Sequence, residues 1–160
     1  MNRKNIFHIL ISTGFGSGYF PKAPGTAGAV LATVIWLGLS QLLTSCHLSA
    51  ATALLIVIFT SLGVYSSGIM EIQWGKDPAK IVIDEMVGVW IPLAVVNNES
   101  EYYLYYALAA LLLFRFFDIV KPLGIRKMEN FKGGWGIMLD DILAGLYSLL
   151  ILYGTQWYIG

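Results

Sequence analysis

The chain has 160 residues, of which 57% are hydrophobic and only 12% charged, with a mean hydropathy of +0.68. Soluble domains carry roughly 25% charged residues, so a disordered or solvating chain is excluded, and the length allows one domain. Ten acids balance ten bases, which leaves no basic excess for nucleic acid, and the lone Cys46 excludes an internal disulfide or a cysteine-rich metal site.

Arg3 and Lys4 precede a short apolar run, Ile6 to Ile11, which His8 interrupts. No small-x-small cleavage site follows, so this reads as a mature N-terminus carrying an interfacial or re-entrant helix. Residues 1–26 form a Gly/Pro-rich lead-in. Its stretch from Gly14 to Gly28 lacks both the Walker A pattern and G-x-G-x-x-G. Two readings of it stand side by side: a backbone nest for an anion, with Thr26 near a helix N-terminus, or an irregular loop using Gly and Pro for turns.

Apolar helices are expected over 27–43, 48–70, 78–96, 102–117 and 137–159, against the roughly 20 residues that a span requires. The third depends on Asp77 as N-cap and Pro78 as first helical residue, which extend a short apolar run to roughly 28 Å. Pro92 is expected to kink it. Arg3, Lys4, Lys22, Lys76, Lys80, Arg115, Lys121, Arg126, Lys127 and Lys132 then fall on one side or at helix ends facing it. By the positive-inside rule that side is cytoplasmic and the C-terminus points out. The expected fold is all-α. It is a single multi-pass membrane domain over 1–160, a compact bundle of about five apolar helices with polar loops and short helices on the cytoplasmic face. The rival is a soluble all-α domain with unusually apolar helices.

Chemistry collects in the acids. Asp84 and Glu85 sit among apolar neighbours, Asp118 follows Phe114–Arg115–Phe116–Phe117, and Asp140 and Asp141 precede Ile142. In the topology above all five carboxylates lie in one layer. Asp140 and Asp141 admit a simpler role, complementing the positive end of a helix that starts after Gly133 and Gly134. Asp118, three residues from both Arg115 and Lys121, admits a surface salt bridge. Asp84 and Glu85 lie too far beyond Asp77 to be caps, and ionisable groups within a membrane segment mark a function or an ion pair by default.

Five clustered carboxylates repel one another unless a cation holds them. With His8 and His47 the only imidazoles, the ligands are oxygens, which suit Mg²⁺. Mg²⁺ commonly binds substrate phosphate, and Arg115, Lys121 and Arg126 are candidate phosphate clamps, with lipid-headgroup anchoring as their alternative. Neither a phosphocysteine loop nor an acid-oriented histidine is present. In-line attack by metal-activated water remains.

At these residues the sequence resembles the phosphatidylglycerophosphatase A family of bacterial lipid phosphatases. The resemblance is carried by Gly14 to Gly18 with Pro24–Gly25–Thr26–Ala27–Gly28, by Ile81 to Trp90, by Phe114 to Pro122 with Ile125–Arg126, and by Gly133 to Gly145. It implies a Mg²⁺-dependent phosphomonoesterase of the inner membrane that converts phosphatidylglycerophosphate to phosphatidylglycerol. Asp84, Glu85, Asp118, Asp140 and Asp141 become the catalytic and metal-binding acids, with Lys121 and Arg126 near phosphate. Two other classes remain in view. A small cation transporter would place its acids near the bilayer midplane in broken helices, and a lipid-binding or assembly protein would tolerate Asp84→Asn. A CDP-alcohol phosphotransferase would need acids four apart along one helix after an Asp-Gly start, a spacing this chain lacks.

Overall fold

A computed structural model describes residues 3–76 and 78–159. Among them the chain is helical throughout, without strands: α1 (Arg3–Ser12), α2 (Pro24–Ser40), α3 (Ser45–Trp74), α4 (Ile83–Leu93), α5 (Tyr103–Val120), α6 (Ile125–Met128) and α7 (Gly134–Ile159). Three of these, α3, α5 and α7, are long and apolar enough to cross a membrane. The apolar α2 stops at 17 residues. Membrane association follows from this composition, because large apolar side chains such as Leu54, Val57, Leu108, Leu112 and Leu150 face outward, where water would penalise them and lipid does not.

The centre of the bundle is α4. Every residue of this helix except Glu85 is buried, the expected state of a helix apolar all round, and α2, α3, α5 and α7 pack about it. It is much shorter than the 78–96 expected from sequence. The backbone N–H of Val82 donates to the Ser12 carbonyl at 2.9 Å and that of Ile81 to Pro78 at 2.9 Å, so the preceding residues are engaged as a turn and helix begins only at Ile83. Asp77, the expected cap, lies outside the described residues. Pro92 produces no mid-helix kink because α4 ends one residue later. The helix is placed laterally by the Trp90 Nε1–H, which donates to the Ala32 carbonyl of α2 at 3.0 Å. After it, Asn98 Nδ2 donates to the Ser40 and Leu43 carbonyls, closing the C-terminus of α2, whose last carbonyls need donors from elsewhere.

Close approach of backbones decides the rest. A Cβ at Gly145 would strike the Gly88 carbonyl, and one at Gly88 would strike the Phe114 ring and approach the Asp141 carbonyl at 3.0 Å. Small residues allow α4 and α7 to meet here without intervening side chains. Asp84 precedes Gly88 by four residues and Asp141 precedes Gly145 by four, so each acid lies one turn from the crossing on the same face as its glycine. The crossing therefore sets the two carboxylates side by side.

Candidate active site

The boundaries of α4 and α7 reverse the expected status of the acidic pairs. Asp84 and Glu85 are in the first turn of α4, close to its unpaired N–H groups. Asp140 and Asp141 are the seventh and eighth residues of α7, whose first turn carries no acid, so dipole complementation does not account for them. Asp84, Glu85 and Asp141 each offer a carboxylate oxygen, and these oxygens all lie within 4.8 Å of one another. Asp84, Asp140 and Asp141 are buried. Asp118, from α5, stands beside Asp141 and Glu85.

Two cations complete the layer. Arg115 Nη1 donates to Asp118 Oδ2 at 2.5 Å, the i,i+3 pairing that the sequence allowed. Lys121 Nζ donates to Asp140 Oδ2 at 2.5 Å and to Glu129 Oε1 at 2.8 Å. Lys121 closes α5 in the left-handed region, with φ +48°, a conformation that disfavours any residue with a Cβ. Burial works against its charge, but the hydrogen bonds to Asp140 and Glu129 outweigh burial and raise its pKa above the usual 10.5. Lys121 is thus a permanent cation at neutral pH.

Asp84, Glu85, Asp140, Arg115 and Lys121 line a cavity of about 280 Å³, with Ala23, Pro24, Gly25, Ala79 and Ile81 as its other walls. Several of its polar atoms are buried and unpartnered: Asp84 Oδ1, Glu85 Oε2, Asp140 Oδ1 and Arg115 Nε. Buried acceptors without donors are costly, and a hard cation answers the orphaned oxygens of Asp84 and Glu85, with Asp141 beside them, better than any protein donor does. The donor set is all oxygen, which fits Mg²⁺ or Ca²⁺ and not a soft metal.

Other sequence candidates lie elsewhere. Thr26 is exposed and lines an apolar groove on the outside of α2. Its neighbour Gly25 is the residue that meets the acids, since a Cβ there would run into Glu85 Oε1. Arg126 is exposed on α6 and does not line the cavity. In the glycine-rich lead-in, Gly14 packs on Met86 and Val82 and Gly18 on the Lys80 carbonyl, so both serve packing. Glu129, the second acceptor of Lys121, was not singled out in the sequence. It sits in a connecting segment, where no periodicity marks a pairing eight residues distant.

Fold and site together define a membrane-associated helical protein with a buried acidic cluster, spaced to suit a metal ion, beside Arg115 and Lys121. Comparison makes this specific. The family model of phosphatidylglycerophosphatase A matches residues 10–156, and the chain belongs to that family, a family of phosphatases. It is 38% identical to the phosphatidylglycerophosphatase A of Haemophilus influenzae, covering 97% of this chain and 91% of the relative. It is 35% identical to that of Escherichia coli K12, over 100% and 90% respectively. A protein of Bacteroides thetaiotaomicron, provisionally named a phosphatidylinositol-3-phosphatase, is 54% identical over the full length of both chains. No solved structure matches the chain significantly.

Proposed function

We propose that this protein hydrolyses the phosphomonoester of phosphatidylglycerophosphate, releasing phosphatidylglycerol and phosphate at the cytoplasmic face of a bacterial inner membrane. The observation that carries the reading is the convergence of carboxylate oxygens of Asp84, Glu85 and Asp141 within 4.8 Å of one another, with Asp84 and Glu85 lining a cavity that Arg115 and Lys121 also line. A transporter would need acids part-way along a conduction path. Here they crowd at the end of the bundle where Arg115 and Lys121 lie, while the opposite connections, 41–44 and 94–102, carry Glu99 and Glu101 and no lysine or arginine. That asymmetry supports a cytoplasmic orientation for the site.

In this reading Asp84, Glu85 and Asp141 would hold Mg²⁺, which would supply charge neutralisation at the phosphate and a more acidic water for in-line attack. Arg115 keeps its own carboxylate partner through Nη1 and has Nε without one, so a phosphate oxygen can be added to its fork. Lys121 supplies a fixed positive charge toward the same phosphate. Asp118 orients Arg115 and stands beside Asp141. Asp140 has one oxygen held by Lys121 and the other unpartnered, which leaves it placed to accept a proton from the attacking water. Thr26 and Arg126 serve the lipid instead of the transferred phosphate, at the apolar rim and the charged surface respectively.

A second reading keeps the chemistry and changes the lipid. The 54% identity with the Bacteroides protein favours a phosphorylated inositol lipid as substrate. Both are tested in one assay: inorganic phosphate released by detergent-solubilised protein from phosphatidylglycerophosphate and from phosphatidylinositol 3-phosphate, with Mg²⁺ or with EDTA. Release from the first lipid alone, abolished by EDTA and by Asp84→Asn, is the expected result. Release only from the inositol lipid transfers the activity to the second reading, and none from either overturns both.

A further inference from the structure

We propose that the groove on the outer face of α2 holds one acyl chain of the lipid whose phosphate is removed, a proposal that rests on the lipid-phosphatase reading above. The groove has a volume of about 430 Å³. Its α2 residues Ala27, Val30, Leu31 and Val34 repeat at three- and four-residue steps and so share one helix face. Phe20 forms its outer wall, and no charged side chain lines it. Val30 and Val34 are 42% and 56% exposed, open to a chain lying against them.

What distinguishes this surface from any other lipid-facing one is where it leads. Ala23 lines both the groove and the carboxylate cavity, so the two lie next to each other at the start of α2. The only polar side chain in the groove, Thr26, lies within a turn of that junction. From Ala23 to Val34 the helix rises about 16 Å at 1.5 Å per residue, about half of a roughly 30 Å hydrocarbon core. An apolar groove about one leaflet long that begins beside a pocket lined by carboxylates, Arg115 and Lys121 complements a phospholipid with its phosphate in the pocket and one chain in the groove. A larger apolar groove of about 520 Å³ between α5 and α7 shares no lining residue with the pocket and serves as an internal control.

The test uses the full chain in detergent with Mg²⁺, and two substrates that differ only in chain length, dioleoyl and dihexanoyl phosphatidylglycerophosphate. Val30→Trp fills the groove, and Leu112→Trp makes the same change in the unconnected one. The ratio of kcat/KM for the long-chain lipid to that for the short-chain lipid should fall at least tenfold in Val30→Trp and stay within twofold of wild type in Leu112→Trp. Val34→Trp, deeper in the groove, repeats the measurement should Val30→Trp not yield folded protein. A ratio unchanged in both groove variants, or lowered equally in the control, overturns the groove while leaving the phosphatase reading intact. Wild-type protein inactive on both lipids fails the phosphatase reading itself and the groove with it.

Discussion

Gly25→Ala separates the needs of the site from the needs of the fold. The added methyl would overlap Glu85 Oε1, stand 3.0 Å from Glu85 Cδ and 3.2 Å from Arg115 Nη1. Carbon atoms settle at about 3.5–4.0 Å and the overlapping Oε1 is closer still, so the Glu85 carboxylate has to retreat by about 1 Å or more. Misplacing a reacting group by about 1 Å costs on the order of 100-fold in rate. Phosphate release should therefore fall roughly 100-fold or more, equivalent to about 2.7 kcal/mol or more of transition-state stabilisation. Helix formation is eased meanwhile, since Ala is preferred to Gly by up to about 1 kcal/mol, and this offsets the crowding. Rates on phosphatidylglycerophosphate in mixed micelles, paired with thermal unfolding of the same samples, measure both sides. Activity within threefold of wild type would refute the idea that Glu85 must sit against the start of α2, and an activity loss matched by collapse of the fold would refute the separation of the two roles.

Removing a carboxylate by Asp84→Asn or Asp141→Asn relieves repulsion within the buried cluster, so in EDTA each variant should unfold roughly 2 to 4 °C above wild type for about 1 kcal/mol gained. Mg²⁺ at 100 times its Kd should stabilise wild type by about 2.7 kcal/mol and these variants hardly at all, as scanning calorimetry would record; equal Mg²⁺ stabilisation would remove the ion from this site. Lys121→Met leaves the buried Asp140 without its cation and should destabilise by about 3 kcal/mol, the low end for a broken buried pair because Lys121 is partly exposed. Because the folded pKa of Lys121 is raised, its stabilising contribution is complete below pH 10.5 and is lost only as pH climbs through the higher folded value. The Lys121→Met deficit should accordingly not shrink between pH 6 and pH 9 in chemical denaturation, and a deficit that does shrink would contradict a permanently charged lysine.

Composition and apolar run lengths were enough to give the helical class and the membrane setting, because a chain so poor in charge has few alternatives to burying its surface in itself or in lipid. The acids were legible for the same reason: Asp84 and Glu85 interrupt an apolar stretch where a charge is expensive, and Asp118, Asp140 and Asp141 follow aromatic or apolar runs. The resemblance to the phosphatase family was legible in the same blocks. Helix boundaries were not, since the start of α4 is fixed by a backbone hydrogen bond from Val82 to Ser12, seventy residues apart in sequence, and no local pattern encodes it.

That boundary put Asp84 and Glu85 in a first turn, and the start of α7 at Gly134 moved Asp140 and Asp141 out of one. That Asp84 and Glu85 meet Asp141 likewise depends on the crossing of α4 and α7 at Gly88 and Gly145. Residue types are written in the sequence, and their chemistry with them. Proximity between side chains on separate helices comes only from packing, where the absence of a side chain at a glycine counts as much as the presence of an acid one turn away.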